Sequence, residues 1–107
     1  MRIFTPTEAH TAWMAGDVAI VDCRERVEHE VTRIAGVPLV PMSEILDRLD
    51  DLPTDRPLVL ICRSGARSGQ VAEYLTAEGN HGEVANLDGG ILAWAADGLP
   101  YEGEPPR

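Results

Sequence analysis

Apolar residues in this chain gather into short runs separated by longer amphipathic stretches. Two runs are nearly continuous, "VAIVDC" at 18–23 and "LVLI" at 58–61. Runs this short with so little alternation suit strands covered on both faces, as in a parallel sheet. "EVANL" at 83–87 reads as a third interior strand. "VPLVP" at 37–41 reads as a further strand, placed at an edge by its prolines.

Helical signals fall between these runs. Thr5 and Glu8 form a capping box, Pro6 suits the first helical position, and Ala9, Ala12 and Trp13 share a face before Gly16 ends the segment. "RERVEHEVTRIAG" is polar and predicts a short helix followed by a loop. Ser43 is placed to cap "EILDRLDDL", with Ile45, Leu46 and Leu49 facing inward. The spacing predicts a helix over Arg67–Glu78 with Val71, Tyr74 and Leu75 inward and Gly79 as its C-cap. "DGGILAWAADGLP" is a Gly-Gly turn into a short helix stopped by Gly98 and Pro100, and residues 101–107 are expected to fray. Strands alternating with helices through short loops define an α/β fold. The expected architecture is a small open, mostly parallel sheet of about five strands with helices on both faces.

At 107 residues the chain makes one domain, 1–107, and 44% hydrophobic content suffices for a core. Eighteen acidic residues against nine basic ones give a net charge of -9, and every basic residue is arginine. That balance argues against nucleic acid and against anionic lipid surfaces. No apolar run approaches the roughly 20 residues of a membrane span, and the N-terminus has no secretory pattern, so the cytoplasm is the expected compartment. Cys23, Cys62 and three scattered histidines make neither a disulfide framework nor a zinc spacing. No metal and no cofactor are expected.

The chemistry concentrates in "CRSGARS", residues 62–68. Ligands of open α/β sheets bind beyond the carboxyl ends of the strands, where Cys62 follows "LVLI". Gly65 lets the backbone turn, and successive N–H groups in such a turn converge into an anion-binding nest. The start of the following helix adds the positive end of its dipole. A thiol held there ionises readily, and the thiolate is a nucleophile. A buried structural cysteine is the plain alternative, but it explains neither the two flanking arginines nor the glycine.

"CRSGARS" resembles the active-site loop of the rhodanese (thiosulfate sulfurtransferase) family: cysteine, two variable residues, glycine, a variable residue, arginine and serine. "AIVDCRERVEHEVTRIAGVPLVP" is similar to the family's early segment, and "VANLDGGILAWAADGLP" to its later Leu-Gly-Gly-aromatic-Ala-Trp segment. The three matches occur in order over most of the chain. Thr32, Arg33 and Ala35 depart from the family's Gly, His and Pro, and Cys23 replaces its valine.

The resemblance implies transfer of sulfane sulfur through a Cys62 persulfide, from thiosulfate or a persulfide donor to a thiol or to cyanide. A protein persulfide donor or acceptor is the other partner class. Backbone N–H groups of Arg63, Ser64, Gly65, Ala66, Arg67 and Ser68 are expected to line the anion site. Arg63, next to the sulfur, is expected to hold the donor's anionic end. Arg67 is expected to brace the loop, through Asp22 at the neighbouring strand end, with Arg24 also in support. Its alternative is a solvated arginine that the helix dipole disfavours.

Competing functions are a non-catalytic rhodanese-like interaction or sulfur-carrier module and, more remotely, a cysteine phosphatase or arsenate reductase. Phosphatase loops place five residues between cysteine and arginine; "RSGA" supplies four. Trp13 and Trp94 read as core, His10, His29 and His81 as solvated, and "LDDLPTD" as a charged turn without metal-loop spacing. Asp88-Gly89-Gly90 either places backbone beside the Cys62 loop or is a plain turn. Cys23 reads as a small buried hydrophobe; the alternative is a thiol able to attack an oxidised or persulfidated Cys62.

Overall fold

The computed structural model describes residues 1–107. Its elements run β1 (Arg2–Phe4), α1 (Pro6–Met14), β2 (Ala19–Asp22), α2 (Arg26–Val31), β3 (Thr32–Arg33), β4 (Leu58–Ile61), α3 (Ala66–Glu78), β5 (Val84–Leu87), α4 (Gly90–Ala96) and β6 (Glu102–Gly103). Four strands form a fully parallel sheet in the order β1-β5-β4-β2.

The alternation of side chains along each strand sorts the core into two layers. Phe4, Ile20, Val59, Ile61, Ala85 and Leu87 point to the face that packs with Ala9 of α1 and with Ile91 and Trp94 of α4. Ala19, Val21, Leu58, Leu60 and Val84 point to the opposite face, against Val71, Ala72 and Leu75 of α3. Strands buried on both sides explain why the sequence reads as continuous apolar runs. The expected α/β fold with helices on both faces is the one observed.

Several local expectations are corrected. "VPLVP" contributes a single bridge, Leu39 to Asp22, and no strand. β1 carries one buried residue, Phe4, and pairs at the edge beside β5. "EILDRLDDL" forms two 3-10 turns, Ile45–Asp47 and Leu49–Asp51, rather than an α-helix. Ser43 caps neither turn; its hydroxyl donates to Glu25 Oε1 at 2.6 Å. Ile45 is buried while Leu46 is exposed, and on α3 Tyr74 faces solvent while Ala72 and Ser68 turn inward. No helix is long and apolar enough to cross a membrane.

The tail is not frayed. Glu102–Gly103 pairs antiparallel with Thr32–Arg33. The Thr32 hydroxyl donates to the Glu104 carbonyl at 2.5 Å, and Glu104 N–H donates to the Val31 carbonyl at 2.9 Å. Upstream of this ribbon, the fully buried Trp94 donates its indole N–H to the Pro100 carbonyl at 2.8 Å, anchoring the chain after α4.

Trp94→Phe keeps an aromatic ring in the core but removes that donor and some volume. Urea unfolding should show a loss of about 1–2 kcal/mol. Wild-type stability in the variant would mean the indole N–H does not anchor α4.

Candidate active site

β2, β4 and β5 end side by side, and the loop after β4 carries Cys62. Cys62 Sγ accepts the Gly65 N–H at 3.1 Å and the Ser68 hydroxyl at 3.3 Å. Gly65 adopts a left-handed conformation, φ 98°, immediately before α3. A Cβ there would also lie 3.3 Å from Gly89 N and from Leu87 O. Conformation and space both ask for glycine at this position.

A loop that turns its N–H groups inward must turn its carbonyls outward, and those need donors. The first turn of α4 supplies them. Ile91 N–H donates to the Cys62 carbonyl at 2.8 Å and Leu92 N–H to the Arg63 carbonyl at 3.2 Å. This approach requires Gly90, where a Cβ would sit 2.5 Å from Cys62 O and 2.4 Å from Arg63 O. Asp88-Gly89-Gly90 therefore does place backbone beside the cysteine loop.

Two ion pairs hold the surroundings. Arg24 and Asp22 are both buried; Arg24 Nη2 lies 2.8 Å from Asp22 Oδ2, and Nε contacts both carboxylate oxygens at 3.1 Å. The same guanidinium donates to the Thr32 carbonyl at 2.6 Å, so the pair ties the end of β2 to β3. Arg67 does not brace the loop through Asp22. It pairs in bidentate fashion with Glu28 of α2, at 2.6 and 2.8 Å. Asp22 is already occupied by Arg24, and Glu28, within a polar helix six residues after Asp22, gave no local sign of the partnership. The Arg67 hydrogen bonds hold the Glu28 carboxyl down at about 2, against its ordinary 4.5.

Burial pushes the Cys62 thiol up, but the Ser68 hydroxyl and the backbone N–H groups of Ser68, Gly65 and Ser64 outweigh it, leaving the thiol below its usual range. The loop itself thus stabilises the thiolate. Ala66 opens α3 on the exposed side. Arg63 is not among the hydrogen-bond donors to the Cys62 sulfur. It is exposed and turned toward the tail, where its Nε donates to the main-chain oxygen of Arg107. Beside it opens a cavity of about 320 Å³, lined among others by Val27, Val31, Ile91 and Pro105; Cys62 lies outside that lining.

The Rhodanese-like domain family matches residues 5–97. A protein named "Sulfurtransferase" from Allochromatium vinosum is 46% identical over 84 residues, 78% of each chain. The "HTH-type transcriptional regulator Rv0324" of Mycobacterium tuberculosis is 39% identical over 93 residues, 85% of this chain and 41% of that protein. The crystal structure of a rhodanese-related protein from Thermoplasma volcanium superposes with a TM-score of 0.86 at 26% identity, covering 97% of this chain and all of that one. This chain belongs to the rhodanese-like domain family. Relatives named as sulfurtransferases support sulfur transfer as its general chemistry.

Within the rhodanese-like domain, the departures in the early segment have a structural effect. Thr32 gives its carbonyl to Arg24 and its hydroxyl to Glu104, joining the tail to the wall of the site. Cys23 is fully buried at the end of β2 and remains a free thiol. Burial, with Cys62 and Asp22 nearby, pushes it up to about 12, so it stays protonated and packs as a small hydrophobe. A third residue at the site escaped the sequence reading: Asn86 of β5 accepts from Ser68 and donates to the Gly65 carbonyl. Its only sequence signal is an amide inside an otherwise apolar strand.

Two outcomes check this geometry. Alkylation of wild-type Cys62 against pH should show a midpoint below the roughly 8.5 of a free cysteine. Ser68→Ala should raise that midpoint by about half to one unit, the size of one lost hydrogen bond. An unchanged midpoint would remove Ser68 from the account. Because folding lowers this pKa, the Cys62 thiolate contributes stability above the pKa of the unfolded thiol. The contribution is lost as pH falls through the folded value.

Glu28→Gln weakens the clamp between α2 and α3. At neutral pH it should cost about 1 kcal/mol in urea unfolding, as suits a charge-assisted but partly exposed pair. The Glu28 carboxyl is depressed on folding, so its contribution is present above about 4.5 and disappears as pH falls toward about 2. The two proteins should converge in stability over that window. A gap that persists unchanged into acid would assign the loss to packing instead.

Proposed function

We propose that this rhodanese-like domain transfers sulfane sulfur through a Cys62 persulfide, taking sulfur from thiosulfate or a persulfide donor and giving it to a thiol or cyanide. The observation that carries this reading is a sulfur held at the start of α3 by the Gly65 N–H and the Ser68 hydroxyl. In the first step the Cys62 thiolate attacks the outer sulfur of the donor. A new S–S bond forms at Sγ, the donor's S–S bond breaks, and its electron pair leaves with sulfite from thiosulfate or with a thiolate from a persulfide. In the second step an acceptor thiolate attacks the outer sulfur, and Sγ recovers the electron pair as thiolate. N–H groups already aimed at the sulfur stabilise both anionic states without reorganisation.

Seven of the nine arginines pair with carboxylates. The two outside these pairs, Arg63 and Arg107, both line the cavity beside the Cys62 loop. Glu28 and Glu104 share that lining, and Arg63 already donates to the Arg107 main-chain oxygen, so the wall beside the loop is of mixed charge in a chain of net charge -9. A phosphatase reading fares worse, because the arginine it needs over the loop, Arg67, is bound to Glu28.

A non-catalytic module remains the second reading, favoured by the match to one part of a longer transcriptional regulator. Mass spectrometry after incubation with thiosulfate separates the two. Sulfur transfer requires a gain of one sulfur on Cys62 that an added thiol removes. Cys62→Ser should keep the fold and lose more than about a hundredfold in transfer rate, since serine offers no comparable nucleophile at neutral pH. Neither sulfur uptake nor turnover in the wild type would favour the module.

A further inference from the structure

Ser68 is fully buried, and its hydroxyl has two acceptors in reach but one proton to give. Cys62 Sγ lies 3.3 Å away and Asn86 Oδ1 lies 2.5 Å away. The amide's orientation is dictated by its other end. Asn86 Nδ2 lies 3.0 Å from the Gly65 carbonyl, which only accepts, so the nitrogen must face Gly65 and the oxygen must face Ser68. The side chain has little room to move away, because a Cβ on Gly69 of α3 would already lie 3.1 Å from Nδ2.

We propose that Asn86 is a positioning residue for sulfur transfer, its carbonyl competing with the Cys62 sulfur for the single Ser68 proton. The inference rests on the reading of Cys62 as the nucleophile. While Sγ is a thiolate, the Ser68 hydroxyl turns to it and Asn86 Oδ1 gives up its donor. Once Sγ has bonded to the incoming sulfur and its charge has left with sulfite, the hydroxyl returns to Asn86. When an acceptor removes the outer sulfur, Sγ regains its electron pair and draws the hydroxyl back. No proton is transferred; one hydrogen bond changes partner. The arrangement keeps a buried hydroxyl satisfied in both states and prevents the resting thiolate from being held too tightly to react.

The test uses the full chain and reads the alkylation midpoint of Cys62, which does not depend on any sulfur donor. Asn86→Ala removes the competing acceptor and should lower the midpoint by about half a unit. In a Ser68→Ala background the same substitution should shift nothing, because the shared proton is gone. Asn86→Asp, a similar shape with a stronger acceptor, should raise the midpoint, and by less when Ser68 is absent. The other ionisable groups around the sulfur are Cys23 and Asp22 from the end of β2, Arg24 paired with Asp22, and Arg67 with its partner Glu28; all are unchanged in these variants. Both Asn86 variants lose the bond to Gly65. A role confined to bracing the loop therefore predicts shifts that do not depend on Ser68, and either that result or a raised midpoint in Asn86→Ala would overturn the proposal. Folding is read separately by far-UV circular dichroism, and if the alanine variant does not fold, the aspartate pair decides by the same criterion. Failure of sulfur uptake with a Ser68-dependent midpoint would overturn the function and leave the hydrogen-bond switch standing.

Discussion

Holding a negative sulfur at a nearly buried position is the demand around which this small domain is arranged. An anion there needs donors, and the loop supplies them from its own backbone. That choice displaces the difficulty to the carbonyls, which now point the other way. Cys62 O and Arg63 O are met by the start of α4, while Gly65 O is met by Gly69 N–H and Asn86. Helix α4 therefore receives the loop's outward carbonyls, and its own position depends on Trp94 in the core. Gly90 is the contact point: a side chain there would drive the helix off the loop.

The parts of this arrangement made from neighbouring residues were legible in the sequence. β4, the cysteine, Gly65 and α3 follow one another between Leu58 and Glu78, and their patterns reinforce each other. The parts that join distant residues were not. Arg67 meets Glu28 across 39 positions, and Thr32 meets Glu104 across 72. A polar residue gives no local sign of which distant charge it will meet, so Asp22 was the wrong partner for Arg67 and the tail was expected to fray. β1 escaped for a related reason, since a three-residue edge strand with one buried side chain has no period to detect. The segment after Ser43 shows periodicity misleading in the opposite direction. Its apolar spacing suits an α-helix, but Ser43 is drawn to Glu25 and the chain settles into tight turns with Leu46 outside.

The two cysteines show how far environment separates identical side chains. β2 and β4 are paired in register up to Asp22 and Ile61, so Cys23 and Cys62 follow at the same edge of the sheet. Cys62 faces a nest of donors and is driven toward the thiolate. Cys23 has burial and a neighbouring carboxylate, which drive it toward the thiol. A thiol tuned toward the anion and a protonated packing group thus stand side by side. Each is followed by a helix start, so the difference lies in the donors that reach Cys62 Sγ, the Gly65 N–H and the Ser68 hydroxyl.

Electrostatics on two length scales meet at the same site. At long range the chain repels anions, and at 0.15 M salt that field is screened beyond about 8 Å. At short range the loop donors lie at bonding distance from a buried sulfur, where each is worth more than in solvent. The chain can therefore be strongly acidic overall without weakening its hold on a bound sulfur anion. The cost falls on encounter instead. For the proposed reaction this separates two requirements: the loop determines how well the sulfur is held once bound, and the net charge of the surface weighs on which donors arrive. A donor carrying its sulfur on a thiol would be repelled less than a small dianion, because little of its approach depends on charge.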